Sequence, residues 1–118
     1  MSKFKRDNSE KYRTEESQRV RLKYPEKIPV ICEKNPNCKD TPTLIKSKYL
    51  VPLDLTVGQF MFIIRKKMVL SPEKSIYLFV NNKILSGSQI VSYIYEHEKD
   101  PDGFLYIGYT SENTFGSL

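Results

Sequence analysis

The segment that most constrains the fold is LTVGQFMFIIRKKMVLSP, residues 55–72. Thr56 and Gln59 have the spacing of a capping box, in which each side chain bonds the other residue's backbone amide at the start of a helix. Apolar residues then recur at helical intervals, at Val57, Phe60, Met61, Ile64 and Met68. This spacing places them on one face, so the segment predicts an amphipathic helix that buries that face against another layer.

Two segments before this helix alternate in the manner of β-strands. In KIPVICEK, the residues on one face are Ile28, Val30 and Cys32, and those on the other are Pro29, Ile31 and Glu33. In KSKYLVP, Lys48 and Leu50 face away from Tyr49 and Val51. Because Pro29 has no amide hydrogen to give to a neighbouring strand, we expect the first of these strands to lie at a sheet edge or to carry a bulge.

The remaining segments complete an α+β pattern. Residues 76–80 predict a strand followed by a turn at Asn81–Asn82, and Ser88 is placed to cap a short helix. The segment FLYIGYT is apolar on both faces, as expected of a central strand. Near the start, Asn8 or Ser9 is placed to cap a helix that Pro25 ends. This order is that of a ubiquitin-like β-grasp, although periodicity alone establishes only α+β.

The length and composition fit one soluble domain. The chain has 118 residues, of which 39% are hydrophobic, and this length suits one domain rather than two. No run approaches the ~18 consecutive apolar residues of a membrane-spanning helix. The polar start MSKFKRDNSEKYR lacks the apolar region of a signal peptide. We therefore expect a cytoplasmic protein.

The cysteine and histidine content does not indicate an enzyme or a metalloprotein. Cys32 and Cys38 are the only cysteines, too few for a four-ligand zinc site. We interpret Cys32 as a buried strand thiol and Cys38 as an exposed loop thiol. A catalytic cysteine needs a base, and the sole histidine, His97, lies in the charged run YEHEKD, where we expect it to be solvated. No catalytic residue, metal site or bound cofactor is predicted.

The positive charge is concentrated at the N-terminus. The net charge is +5, and residues 1–27 hold nine Lys and Arg against five Asp and Glu. Such asymmetry favours acidic partners: anionic lipid, acidic peptides, tubulin-like surfaces or RNA. Nucleic acid is the least favoured of these, because no aromatic RNA-binding motif accompanies the charge. A solvated helix face is the simpler alternative.

Four stretches, KYPEKIPVICEK, KYLVPLDLTVGQFMFIIRKKM, LFVNN and DGFLYIGYTSENTFG, resemble the autophagy-related ubiquitin-like modifiers, the GABARAP and microtubule-associated light-chain family. The similarity extends over residues 4–116, and the stretch KYLVPLDLTVGQF and the Phe-Gly ending are its most specific parts. It implies a β-grasp with two additional N-terminal helices. We accordingly divide the chain into a helical extension over residues 1–25, a ubiquitin-like domain over residues 26–112 and a tail over residues 113–118.

The resemblance implies a modifier rather than an enzyme. In this family a cysteine protease exposes a C-terminal glycine, and activating and conjugating enzymes then join that glycine to phosphatidylethanolamine. The lipid-bound form on the autophagosome membrane recruits cargo receptors and adaptors that carry a short aromatic-x-x-aliphatic motif. Gly116 matches the conjugated glycine, and Ser117 and Leu118 match the removable extension.

The resemblance also implies three binding surfaces. The residues that match the first, aromatic-accepting pocket and its basic rim are Glu16, Val20, Pro29, Ile31, Lys46, Lys48, Leu50 and Phe104. Those that match the second, aliphatic-accepting pocket are Tyr49, Val51, Pro52, Leu55, Phe60 and Ile63. Tyr77, Leu78, Phe79 and Val80 match a secondary docking surface. Ordinary core positions are the alternative for Ile31 and Leu50, and still more for Leu55 and Phe60.

A second hypothesis remains open. A ubiquitin-like chain that is never conjugated would use the same pockets and the basic helices as a protein-binding adaptor or a microtubule contact. This hypothesis predicts that no cleavage follows Gly116. The chain also differs from close relatives in the family: its loop over residues 35–43 is one residue longer than theirs and carries Cys38.

Overall fold

Two helices begin the chain in the computed structural model, which describes residues 2–111. α1 spans Lys3–Asp7 and α2 spans Glu10–Lys23. The side chain of Ser9 accepts a hydrogen bond from the backbone amide of Tyr12 and caps α2. Of the two predicted candidates, Ser9 is therefore the cap and Asn8 is not. α2 ends at Lys23, and Tyr24 leaves the helical conformation, because the ring of Pro25 disfavours helical backbone at the preceding residue.

A mixed sheet follows the two helices. Its strands and the helices between them are β1 (Lys27–Lys34), β2 (Lys48–Pro52), α3 (Val57–Met68), β3 (Tyr77–Val80), β4 (Lys83–Ile84), α4 (Val91–Glu98) and β5 (Leu105–Thr110). The strand order is β2-β1-β5-β3-β4. β1 and β5 pair in parallel, and the other neighbours pair antiparallel. The order confirms the expected α+β β-grasp with two N-terminal helices.

The predicted amphipathic helix is confirmed as α3. The Thr56 side chain accepts the Gln59 amide, and the Gln59 side chain accepts the Thr56 amide, which completes the capping box. The residues that α3 buries are Val57, Phe60, Ile64 and Met68. They pack in one cluster with the inward residues of β1 and β5, so the main core lies between α3 and the sheet.

The expectation that Pro29 marks an edge strand or a bulge was wrong. β1 lies between β2 and β5, and its register with β2 is uninterrupted from Lys27 to Ile31. Within β1, the amide of Cys32 donates toward β2, to the carbonyl of Ser47 at 2.8 Å. Successive residues of a strand point their amides to opposite sides, so the missing donor of Pro29 faces the β5 side. The pairing with β5 begins only at Val30, one residue later, and the proline therefore interrupts no ladder bond.

Two local predictions were also wrong, and one short strand was not predicted. Ser88 does not cap α4, because the capping position is Ile90, which makes no side-chain cap bond. Cys38 is not exposed: its thiol is buried and lies 3.2 Å from the Thr41 hydroxyl and 3.3 Å from the Ser111 hydroxyl. The strand β4 was missed, because two residues are too few for an alternating pattern.

We predict that Gly103→Ala destabilises the fold. Gly103 has φ +92°, and a Cβ there would lie 2.3 Å from the hydroxyl oxygen of Ser17 in α2. Backbone strain and this clash together should lower the free energy of unfolding by about 1–3 kcal/mol, measurable by urea denaturation. Gly87→Ala is the matched control, because its new Cβ would come no closer than 3.8 Å to the nearest atom. Equal stability of the two variants would contradict the prediction.

Candidate functional site

The residues predicted to form the first pocket come together on the outer face of β1 and β2. Antiparallel register places Pro29 opposite Leu50 and Ile31 opposite Lys48, and alternation puts all four on the same face. α2 lies beside them, with the Glu16 carboxylate 2.8 Å from the Lys48 ammonium. Alternate residues of the two strands therefore share one face beside α2, while the binding role of this set stays a prediction.

This surface has a buried apolar floor and a charged rim, in which Lys46 is exposed and Glu16 and Lys48 are half-buried. Val20, Pro29, Ile31 and Phe104 are buried beneath it. Leu50 is 39% exposed and is the apolar side chain that reaches solvent there. The remaining members, which form the rim, are Glu16, Lys46 and Lys48. An aromatic side chain placed here would contact Leu50, and acidic residues beside it would meet the lysines.

Glu16 is held ionised by two cations. Arg19 donates two hydrogen bonds to its carboxylate at 2.9 and 3.0 Å, and Lys48 donates another at 2.8 Å. The hydrogen bonds from Arg19 and then Lys48 lower the pKa of Glu16 to about 2. Lys48 is thus already paired in this structure, so an acidic ligand would compete with Glu16 for it.

The backbone of β2 also faces outward at this site. β2 is an edge strand of the sheet formed by residues 2–111. The bond from Cys32 to Ser47 fixes the ladder so that Tyr49 and Val51 point their backbone groups toward β1. The amide and carbonyl groups of Lys48 and Leu50 consequently point away from β1, where an extended peptide can bond to them.

The second-pocket residues divide between the core and the surface. Tyr49, Val51 and Phe60 are buried, and the rings of Tyr49 and Phe60 meet edge-on with centroids 5.9 Å apart. Ile63 is 38% exposed, and Pro52 and Leu55 are half-buried. The exposed part of this set is therefore a shallow apolar strip between the β2 edge and α3. The core alternative for Phe60 agrees with its burial, while the binding role of the set stays a prediction.

The secondary docking residues also alternate. Leu78 and Val80 are buried in the core, whereas Tyr77 and Phe79 are half-buried on the opposite face of β3. Phe79 packs over Gly108, where an added Cβ would lie 2.3 Å from its ring. Phe79 and Gly108 line an open cavity of about 940 Å³ that also borders α1 and the loop after β1. Only half of the predicted set is therefore available to a ligand.

A polar cluster that the sequence reasoning missed holds α2 in place. Asp102 is buried and accepts a bond from the Arg13 guanidinium at 2.6 Å and another from the Tyr106 hydroxyl. Its backbone carbonyl accepts the hydroxyl of Ser17. These contacts fix α2, and with it Glu16, against the sheet. No local sequence pattern indicates these contacts, because Arg13 and Asp102 are 89 residues apart.

α1 is attached by a separate set of contacts. The carboxylate of Glu33 accepts the Ser2 hydroxyl at 2.6 Å and the Phe4 amide at 2.9 Å. The Phe4 ring packs edge-on against Phe104, with centroids 5.2 Å apart. Lys5 pairs with Asp100 on the turn that precedes β5. Together these contacts cover the end of the outer sheet face that α2 leaves uncovered.

Gly116, the predicted conjugation residue, lies outside the described residues. Within residues 2–111, no group of three or more His, Cys, Asp or Glu side chains is arranged to hold a metal ion. The helices described there are too short or too polar for any of them to cross a membrane.

A family model, curated relatives and a solved structure all show similarity of this chain to autophagy-related protein 8. The family model described as "Autophagy protein Atg8 ubiquitin like" matches residues 12–116. The chain is 53% identical over 117 residues to Autophagy-related protein 8 of Mycosarcoma maydis, covering 99% of this chain and 98% of that protein. The counterpart from Schizosaccharomyces pombe is also 53% identical over 117 residues, covering 99% and 96%. The crystal structure of Trypanosoma brucei ATG8 has a TM-score of 0.89 at 39% identity, covering 93% of this chain and 94% of that one.

We predict that the Glu16 ion pairs contribute stability that depends on pH. The folded pKa is lowered from 4.5 to about 2, so the contribution is present above about pH 4.5 and is lost as the pH falls toward 2. Urea denaturation of the wild type and Glu16→Gln should show a difference at pH 7 that shrinks over this range. The exposed neighbour Glu15 supplies the control, Glu15→Gln. A Glu16→Gln difference that stayed constant down to pH 2 would contradict the ion pairs.

Proposed function

Because this chain belongs to the Atg8 family of ubiquitin-like autophagy proteins, we propose that it is a modifier joined through Gly116 to phosphatidylethanolamine. In this proposal a cysteine protease removes Ser117 and Leu118, and activating and conjugating enzymes use the exposed carboxylate. The chain itself performs no catalysis. It is cytoplasmic before conjugation and lies on the autophagosome membrane afterwards.

The properties of the tail support this role. A glycine has no Cβ, so an enzyme can close around its backbone where a larger residue would obstruct it. Gly116 lies six residues beyond Thr110, the last residue of β5, and can therefore reach an enzyme site at most about 20 Å away from the sheet. A two-chain lipid at this position would anchor the protein stably, which a single acyl chain does not.

We further propose that the β2 edge binds the aromatic-x-x-aliphatic motifs of cargo receptors and adaptors. The observation that carries this proposal is the outward direction of the Lys48 and Leu50 backbone groups on an edge strand. An added peptide strand would gain main-chain hydrogen bonds there, and its side chains would alternate between two sites. The aromatic residue would contact Leu50, and the aliphatic residue would contact Ile63. Lys46 and Lys48 would attract acidic residues that flank the motif.

We predict that Gly116→Ala prevents lipid conjugation. The added methyl group would obstruct the enzyme sites that accept a terminal glycine, so incubation with the processing protease, both conjugation enzymes and lipid vesicles should give no lipidated product. Intact mass spectrometry distinguishes cleaved, uncleaved and lipidated chains. Ser117→Ala is the control and should be processed normally. A lipidated Gly116→Ala product would overturn the proposal, whereas wild-type chain left uncleaved in cells would favour the unconjugated adaptor.

We predict that Leu50→Glu weakens binding of an aromatic-x-x-aliphatic peptide by at least about tenfold, as loss of an interface anchor usually does. A carboxylate at this position would also repel the acidic flank of the motif. Isothermal titration calorimetry with a synthetic peptide measures the effect. Ile84→Glu is the matched control, since Ile84 is a 52% exposed strand residue on the opposite edge of the sheet. Equal affinities of the two variants would exclude the β2 edge as the binding site.

A further inference from the structure

A stripe of alternating apolar and basic side chains runs along the solvent face of α3 and just beyond its end. Phe62, Lys66 and Val69 are separated by four and three residues, which places them on one side of the helix. Phe62 is 60% exposed and Val69 is 88% exposed. The ammonium of Lys66 lies 4.5 Å from the centre of the Phe62 ring, so charge and apolar surface are interleaved.

The backbone of Val69 has a strained, left-handed conformation. It follows the last residue of α3 with φ 50° and ψ 53°, in the left-handed region that glycine and asparagine occupy at helix ends. A branched Cβ disfavours this backbone conformation. Strain of this kind concentrates at functional positions, where the surrounding structure maintains it. The strain therefore supports a use for the exposed isopropyl group.

The surroundings of the stripe are strongly basic. Lys66, Lys67 and Lys74 are exposed and, in the described part of the chain, make no ion pair. Arg65 donates to the carbonyl oxygens of Ser71 and Lys74 at 3.0 and 2.6 Å, so its positive charge is not neutralised. Residues 65–74 contain one acidic residue, Glu73.

The exposed aromatic ring of α4 has acidic rather than basic neighbours on its helix. Tyr93 on α4 is 64% exposed and stacks on His97 with centroids 4.3 Å apart. Its helix also carries the acidic residues Glu96 and Glu98. Tyr12 on α2 is also 49% exposed. Of these three exposed rings, only that of Phe62 has a lysine ammonium over it among the described residues.

The basic stripe lies toward the end of the molecule from which the C-terminal tail departs. Arg65 bonds the Lys74 carbonyl, and Lys74 lies three residues before Tyr77, the first residue of β3. Tyr77 pairs with Thr110, where β5 ends. The tail from Thr110 to Gly116 can span at most about 20 Å. A surface bound to Gly116 is therefore close enough to meet the stripe as well.

We propose that the α3 patch, formed by Phe62, Lys66, Lys67, Val69 and Lys74, contacts the surface of an anionic lipid bilayer. The lysines attract the negatively charged headgroups, and the ring of Phe62 and the side chain of Val69 enter the interface beneath them. A purely polyanionic partner would satisfy the charges alone and leave the apolar groups in water. The orientation that the patch gives to the anchored protein rests on the proposed conjugation of Gly116, but the contact itself does not.

Single-tryptophan probes test this contact directly, because the chain has no tryptophan. Phe62→Trp reports from the patch, and Tyr93→Trp reports from α4 as the matched control. Each unconjugated full-length variant is mixed with excess vesicles of phosphatidylcholine, with or without phosphatidylserine. We expect the emission of Phe62→Trp to shift to the blue only on vesicles that contain phosphatidylserine, and that of Tyr93→Trp to remain unchanged. No shift for Phe62→Trp, or equal shifts for both probes, would overturn the proposal.

Charge reversals separate the patch from the overall charge of the protein. Added to Phe62→Trp, Lys66→Glu with Lys67→Glu should abolish the blue shift. Lys11→Glu with Lys39→Glu changes the net charge equally at two other exposed lysines and should retain it. The same shift produced by an RNA oligonucleotide without vesicles would indicate a general polyanion site and overturn the lipid assignment. Because these variants are unconjugated, a failure here is distinguishable from a failure of conjugation at Gly116.

Discussion

The parallel pairing of β1 with β5 is the constraint on which the rest of this structure depends. The two strands are paired from Val30 and Leu105 to Lys34 and Tyr109, at the centre of the sheet. Both faces of β1 are buried over residues 28–32. A strand that is apolar on both faces requires a covering layer on each side. α3 supplies one layer with its amphipathic face, and the N-terminal helices supply the other.

The second layer is held by polar contacts more than by apolar area. α2 buries only Ser17 and Val20, so its attachment relies on the ion pair between Arg13 and Asp102. Removing Arg13 would leave the buried carboxylate of Asp102 without its cation and would weaken the attachment of α2. The same contacts determine where Glu16 lies, so the stability of the helical extension and the shape of the proposed peptide site are linked.

The two surfaces to which we assign roles both include residues of α3. The proposed peptide site occupies the β2 edge, the face under α2 and the strip between β2 and α3 that includes Ile63, while the proposed lipid-contacting patch lies on the solvent side of α3 and includes the preceding residue, Phe62. In these proposals one surface binds a peptide strand with an acidic flank, and the other contacts charged headgroups with an apolar layer below them. Both surfaces combine lysines with apolar side chains. They differ in backbone, because the peptide site lies on an edge strand and the lipid-contacting patch lies on a helix.

The sequence by itself determined the elements with strong local signals. The capping box and apolar spacing of α3 and the alternation in β1 and β2 were sufficient to locate these elements, because such patterns arise from contacts within a few residues. The family resemblance supplied the β-grasp. Only the tertiary structure decided that Pro29 lies in an interior strand, that Cys38 is buried and that Asp102 holds α2. Each of those outcomes depends on residues far away in the chain. Local periodicity does not indicate which distant residue will form a hydrogen bond with a given group or pack over a given side chain.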